Sequence, residues 1–438
     1  MRSKLSREEA YKHFLPIELI EMMEPGGIAD IVPGGHVEKR MTIMFCDIRD
    51  FTAHTERMSP HDAIGFVNSF MGIMEPVIHK GGGVIDKFIG DAVMAVFPGT
   101  PDEGVAAAVS MVSALDNLNL TRGTGARRLI RAGIGLNTGM AMIGAVGDLE
   151  RMEPTVISGA VNLASRFESA TKNYGAAIIV SENTCFGLKE PLRRKIRFLD
   201  RVRVKGKSEP QSIYEVFDGD PAVEAAAKER TKARFEEAAA YYHLKAVGRA
   251  KKLFAECLEA APGDKPARFY LERCALFERT GRHDGTGEFD GKLDWRTEFE
   301  VGVKMIDLQH KELLANMNKL PGLIREGDTS RLEGLCGFLA DYAGYHFSYE
   351  ESLMRLSGYP FFEDHKAEHR RFAAYLERFT GEVTSGTQER LFLLFKVQVF
   401  LFDWFACHST GMDRHLGIYL RDPGRAGALP KSESVVPV

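Results

Sequence analysis

The sequence has no block of basic residues. Lys and Arg number 57 against 61 Asp and Glu, a net charge of −4, so no positive field argues for nucleic acid. No window approaches eighteen uninterrupted apolar residues, and the first segment, MRSKLSREEAYKHF, has no apolar core of the signal-peptide kind. Neither a membrane span nor a secretory leader is expected. The six cysteines, Cys46, Cys185, Cys257, Cys274, Cys336 and Cys407, form no CxxC and keep no regular spacing. That pattern fits reduced, buried thiols in a cytoplasmic protein.

What is present is ordinary globular material: 438 residues, 44% hydrophobic and 27% charged, enough for about three domains. Residues 1–34 read as a helical lead (roughly 7–23) followed by Gly/Pro loops. From 35 to 218, strand-like runs (TIMFCDI, GVIDKFI, AVMAVF, RAGIGLNTG, AAIIVS, QSIYEVF) alternate with helical patterns at 60–79, 102–120 and 160–173, an α+β arrangement with Gly90-Asp91 at a hairpin tip. Residues 221–281 are helical, broken at Pro262-Gly263-Asp264. They resemble one tetratricopeptide unit and a fraction of another, which must dock on a neighbour to cover its apolar stripe. Residues 281–291 read as a linker, and 292–420 as an all-α antiparallel four-helix bundle with helices near 303–319, 329–356, 362–380 and 387–413. A disordered tail is expected over 421–438.

Two short apolar strands each carry one aspartate at an end or tip, Asp47 and Asp91. Asn162 and Arg166, four residues apart, share one helix face. Singly, each reads more simply as a turn, cap or surface residue. Together, two carboxylates, an amide and a guanidinium make a phosphoryl-transfer site: the carboxylates for Mg²⁺ on phosphate oxygens, the amide and arginine for charge developing in the transition state.

The text around them is more specific. FCDIRDFT, KFIGDAVMAVF, GIGLNTGMAMIGAVG, RMEPTVISGAVNLASR and VKGKSEPQSIYEV, in this order, closely resemble the class III adenylate/guanylate cyclase catalytic domain. The resemblance implies a ferredoxin-like core in a head-to-tail homodimer with shared active sites. Asp47, Asp91 and the Ile48 carbonyl would hold two Mg²⁺ or Mn²⁺ ions. The partner protomer would bring Asn162 to the ribose, Arg166 to the α-phosphorus and Lys205 to the phosphates. Family guanylate cyclases carry Glu where this chain has Lys87, and a lysine donates to adenine N1. Thr155, at the second base-reading position, is found in a bacterial subgroup of adenylate cyclases. ATP is therefore the expected substrate. The usual Gly-Asp before the Asn/Arg helix is replaced by Ser158-Gly159.

In the bundle, His346 and Glu350 are spaced i,i+4, as are His365 and His369; His408 and Asp413 are i,i+5. With His310, these are five imidazoles and two carboxylates on four helices, costly to bury without partners and suited to iron. VGVKMIDLQHKELL, YHFSYEESLM, YPFFEDHKAEHRRF and DWFACHSTGMDRH resemble the hemerythrin-like domain. That resemblance implies a non-haem di-iron centre with O₂ as its ligand: His365, His369 and His408 on one iron, His310 and His346 on the other, Glu350 and Asp413 bridging. His415 is expected at the surface; Asp307, Trp295 and Trp404 are expected to support the bundle and exclude water.

The order of the segments, with the cyclase-like part first, suggests an adenylate cyclase regulated from behind by the oxygen or redox state of the iron site. Three alternatives stay open. The bundle is an independent oxygen- or iron-binding module; or 221–281 brings in a protein partner; or nitric oxide, peroxide or iron supply is the true input.

Overall fold

The computed structural model describes residues 16–23, 31–56, 58–121, 129–148, 150–189, 193–203, 210–283, 292–386 and 389–421. The chain divides into two units, Met1–Ala239 with Val247–Thr286, and Ala240–Ala246 with Gly287–Val438.

The first unit is built on one sheet. Its strands are β1 (His36–Ile48), β2 (Val84–Ile89), β3 (Ala92–Phe97), β4 (Ala132–Gly147), β5 (Met152–Ile157), β6 (Ile178–Ser181), β7 (Ile196–Val202) and β8 (Gln211–Val216). The order is β2-β3-β1-β4-β6-β8-β7, with β5 pairing to the far half of β4. β1 and β4 run antiparallel from His36↔Gly144 to Ile48↔Ala132, which makes them the spine. Among the described strands the β4–β6 pair alone is parallel, and the crossover it demands is the Gly159–Tyr174 helix. That helix lies so close to β4 that a Cβ on Gly135 would stand 2.1 Å from the Glu168 amide nitrogen, so no larger residue fits there. Ser158 starts the helix, its Oγ accepting from the amides of Ala160 and Val161. The unusual Ser158-Gly159 pair therefore supplies a regular N-cap.

The expected hairpin tip is present, with Gly90 at φ +66° between β2 and β3. Two strands were not legible in the sequence. β5 contains Pro154, tolerable because it lies off the main strand path with β4 its only paired neighbour. β7 (IRFLDRV) carries Arg197, Asp200 and Arg201, all buried, so its charges hide its apolar alternation.

Those charges explain how the next segment docks. Helices Ala222–His243, Val247–Ala260 and Lys265–Thr280 follow the sheet. Arg197 donates through Nη1 and Nη2 to Asp264 (2.7 Å each) and through Nε to Glu215 (2.6 Å). Lys228 joins Glu215 (2.7 Å) to Asp220 (2.5 Å). Arg273 reaches Asp200 at 2.5 Å, and the Tyr270 hydroxyl donates to the Leu199 carbonyl. Pairing on this scale is what makes buried charges tolerable.

In the second unit the Lys304–Met317, Thr329–Ser357, Phe362–Ser385 and Arg390–Leu420 helices carry the bundle. The expected break at Pro321-Gly322 falls slightly earlier, at Asn318-Lys319, and Pro321 sits in the first turn of a short Leu320–Glu326 helix. Ala240–Ala246 belongs to this unit: the Tyr241 hydroxyl donates to Glu389 at 2.5 Å, and the His243 ring stacks on Phe395. Arg390–Leu420 is long and apolar enough to cross a membrane, but 72% of its apolar window is buried, as befits the core helix of a bundle. Residues 1–15, 284–291 and 422–438, where most of the lead, the linker and the tail were expected, lie outside the described residues.

Candidate active site and candidate metal centre

β1 ends at Asp47-Ile48, and the β2–β3 hairpin brings Asp91 against it. Asp47 Oδ1 accepts from the Ile48 amide at 2.8 Å. The Asp91 carboxyl is pushed up to about 7, first by burial and then by the Asp47 carboxylate beside it. Two carboxylates held together at such cost are a fitting seat for divalent cations. Lys87 and Thr155 both approach Asp86, although β2 and β5 are not paired strands. Lys87 Nζ lies 2.8 Å from Glu153 and 3.8 Å from Asp86, and the Thr155 hydroxyl donates to Asp86 Oδ2 at 3.2 Å. Asn162 and Arg166 stand exposed on the Gly159–Tyr174 helix. Two residues after Arg166, Glu168 faces Arg49 at 3.6 Å, tying this helix to the segment after Asp47. Lys205 lies outside the described residues.

In the bundle all seven expected ligand residues are buried and converge. Donor atoms of Glu350, His365, His369, His408 and Asp413 lie within 4.8 Å of one another, and so do those of His310, His346 and Glu350. Glu350 belongs to both groups, and Asp413 Oδ2 also approaches His310 Nε2 at 3.3 Å. The i,i+5 pair is explained by local structure: the helix opens into a π-turn over Ser409–Asp413, whose wider pitch sets Asp413 Oδ1 3.1 Å from His408 Nε2. Both Glu350 oxygens, His369 Nε2 and Asp413 Oδ2 are buried with no hydrogen-bond partner, a donor set that fits metal cations.

A family model for the adenylate and guanylate cyclase catalytic domain matches residues 36–216, and one for the hemerythrin HHE cation-binding domain matches residues 301–417. The chain joins a cyclase catalytic domain to a hemerythrin domain.

An adenylate cyclase of Anabaena cylindrica is 42% identical over 215 residues, covering 48% of this chain and 43% of that protein. The terminal-differentiation-specific adenylate cyclase of Dictyostelium discoideum is 38% identical over 274 residues, 61% of this chain and 13% of its own length. The chain thus spans less than half of these relatives. Among solved structures, the adenylyl cyclase CyaB from P. aeruginosa is 32% identical with a TM-score of 0.37, covering 41% of this chain and 95% of that one.

Around the hemerythrin-domain ligands lies a ring of residues that sequence reasoning missed. Gln309 faces His346 Nδ1 at 3.0 Å, Glu351 faces His369 Nδ1 at 3.3 Å, and Glu368 faces His408 Nδ1 at 2.8 Å. Such outer partners fix the ring orientation of a ligating histidine. Each neighbours a ligand in sequence (Glu351 follows Glu350, Glu368 precedes His369), which was the available signal. Burial, then neighbouring imidazolium charge, holds His346 well below the ordinary histidine range. Glu350 is pushed up to about 7 by burial and then by Asp413. His408 goes the other way, up to about 10, because Asp413 and Glu368 outweigh its burial. Trp404 stacks on His408 with centroids 4.4 Å apart, and Asp307 accepts from the amides of Val301 and Gly302. His415, expected at the surface, is half-buried between Tyr359 and Phe361, its Nδ1 2.7 Å from the Tyr359 hydroxyl; the aromatic pair shields its ring.

Proposed function

We propose that this chain is a cytoplasmic adenylate cyclase, forming 3′,5′-cyclic AMP and diphosphate from ATP in a head-to-tail homodimer, at a rate set by the oxygen or redox state of a di-iron site in its hemerythrin domain. The observation that carries the first half is that Lys87, on the β2–β3 hairpin that also presents Asp91, and Thr155, on β5, both approach Asp86. A lysine and a hydroxyl at the base fit adenine, and Asp47 and Asp91 fit the metals of the reaction.

Asp47, Asp91 and the Ile48 carbonyl would hold the divalent ions, which when bound supply Lewis-acid activation of the ribose 3′-hydroxyl and neutralise the triphosphate. Asn162 orients the ribose so that the 3′-oxygen faces the α-phosphorus in line with the departing diphosphate. Arg166 stabilises the charge on the equatorial oxygens, and Lys205 meets the phosphates. Asn162 and Arg166 are exposed, as groups that complete a partner's site must be. Phe88, Ile89, Met142 and Ile157 are also exposed, on β2, β4 and β5, and a second copy is the natural cover for them.

In the hemerythrin domain, His365, His369 and His408 would hold one iron and His310 and His346 the other, with Glu350 and Asp413 shared; iron there supplies reversible chemistry with dioxygen. Regulation requires the two states of the bundle to differ in free energy of interaction with the cyclase dimer. The test is cyclic AMP formation by the full-length chain, reduced and anaerobic, oxygenated, or oxidised, with ATP and GTP compared in each state. Rates that differ between states with ATP preferred support the proposal. Equal rates in all three states overturn regulation and leave the hemerythrin domain an independent module, and a GTP preference overturns the substrate. A preparation that is slow in every state and revived by lysate points to a partner acting through 221–281. The inner face of that segment is already taken up by the sheet of its own unit.

A further inference from the structure

Asp86 is a carboxylate in an unlikely place. Its side chain is fully buried on β2 beside Lys87, yet Lys87 is held more closely by the exposed Glu153, 2.8 Å against 3.8 Å. A lone buried carboxylate is expensive, and burial pushes this one up to about 6, with Lys87, the Thr155 hydroxyl and the Val156 amide pulling it back. With the Lys87 ammonium 3.8 Å away it faces Thr155 as a carboxylate, and a carboxylate only accepts hydrogen bonds. What it accepts is the Thr155 hydroxyl proton.

A threonine hydroxyl has one hydrogen and can donate or accept. Left free, it would donate to the O6 of guanine or hypoxanthine as readily as it accepts from the 6-amino group of adenine. We infer that Asp86 sets the purine preference of the site by engaging the single hydrogen of Thr155, so that Thr155 faces the base as an acceptor only. The inference rests on the reading of Lys87 and Thr155 as the base-contacting pair. With Thr155 fixed as acceptor and Lys87 a donor, the pocket presents the complement of the adenine edge, whose N1 accepts and whose 6-amino group donates. Guanine and hypoxanthine present the reverse at both positions, N1–H and O6. Asp86 is a positioning residue: it acts through Thr155 and touches no substrate atom.

The experiment compares ATP, inosine triphosphate and purine riboside triphosphate, which has hydrogen in place of the 6-amino group, as substrates of the full-length chain. In the native protein, loss of the 6-amino group should cost about tenfold or more in kcat/KM, carried mainly by KM, the worth of one well-placed hydrogen bond. In Asp86→Asn the amide can donate to Thr155 and release its hydrogen. The ratio of ATP to the purine analogue should then collapse to within about threefold, and the preference for ATP over inosine triphosphate should fall by about 10–100-fold. Asp86→Ser, which removes the carboxylate without filling its place, should do the same and serves if the asparagine variant folds poorly.

An equal loss on all three substrates means that Asp86 only supports the fold, and overturns the inference. If Thr155→Val shifts the substrate ratios but neither Asp86 variant does, the base reading stands and the role of Asp86 falls. If Thr155→Val leaves the ratios untouched, the base reading itself fails and the inference goes with it. Thr155→Val and Asp86→Asn combined should shift the ratios no further than Thr155→Val alone, because Asp86 works through that hydroxyl.

Discussion

Replacing Arg197 by Met should loosen the helical segment 222–280 from the cyclase sheet. The guanidinium is fully buried, lies 4.0 Å above the Phe235 ring, and closes two hydrogen bonds on Asp264 and one on Glu215. Methionine can replace the packing but not the charge. Glu215 would keep Lys228 at 2.7 Å, whereas Asp264 would keep only the Ala267 amide at 3.4 Å. Stranding one buried carboxylate in this way costs about 3–5 kcal/mol. Replacing Asp264 by Asn as well removes the stranded charge while keeping an acceptor at the start of the Lys265–Thr280 helix. The double variant should therefore recover about 2 kcal/mol or more, a coupling expected only between groups in contact. Urea unfolding gives the stabilities, and hydrogen exchange along Lys265–Thr280 shows where the loss falls. A cost below about 1 kcal/mol for Arg197→Met, in the range of an exposed ion pair, would refute the buried network and with it the docking of these helices on β7 and β8.

Asp86→Asn should also reveal itself in a pH series. The carboxyl stands at about 6 in the folded chain against an ordinary value near ~4. Its contribution to stability is thus full below about pH 4 and lost as pH rises through 6. Asparagine has no such loss, so its stability relative to the native protein should rise by about 2 kcal/mol between about pH 4 and pH 7; a gap that does not change with pH would contradict the burial argument. Asp47→Asn should lower cyclic AMP formation by at least about a hundredfold, and calorimetric titration with Mn²⁺ should show weaker binding at unchanged fold. Glu368→Ala, which removes the outer partner of His408, should weaken iron retention about 10–100-fold, as measured by metal content after dialysis against a chelator. His365→Ala and His369→Ala should abolish iron loading and, together with it, any redox response of the cyclase.

Much of the site was legible because its residues sit where periodicity is strongest. Asp47 and Asp91 follow apolar strands, and the histidine pairs sit at i,i+4 on long helices, so spacing alone puts them on common faces. What stayed hidden depended on contacts distant in sequence. Asp86 looked like any polar residue on a strand until β5 brought Thr155 to it, and β5 itself was masked by Pro154. The charges of β7 gave no hint of burial because their partners arrive from elsewhere in the chain, Glu215 from β8 and Asp264 and Arg273 from the helical segment up to 73 residues away in sequence. Three of the residues outside the metal ligands, Gln309, Glu351 and Glu368, were passed over because an acidic or amide side chain beside a ligand looks no different from a solvated helix face.

The π-turn at Ser409–Asp413 makes the bundle's chemistry a matter of angular phase. An α-helix advances about 100° per residue, so five residues overshoot a full circle, and only the wider turn returns Asp413 to the side of His408. Deleting one residue from Ser409–Met412 would let the same chain continue as an ordinary helix on the same axis. The pair would then be i,i+4 and still aligned, and Leu416 and Leu420, three and seven residues beyond Asp413, would keep their side of the helix. The extra residue is therefore absorbed by the wider turn, and the two ligands and the apolar face that follows keep the phase of an unbroken helix.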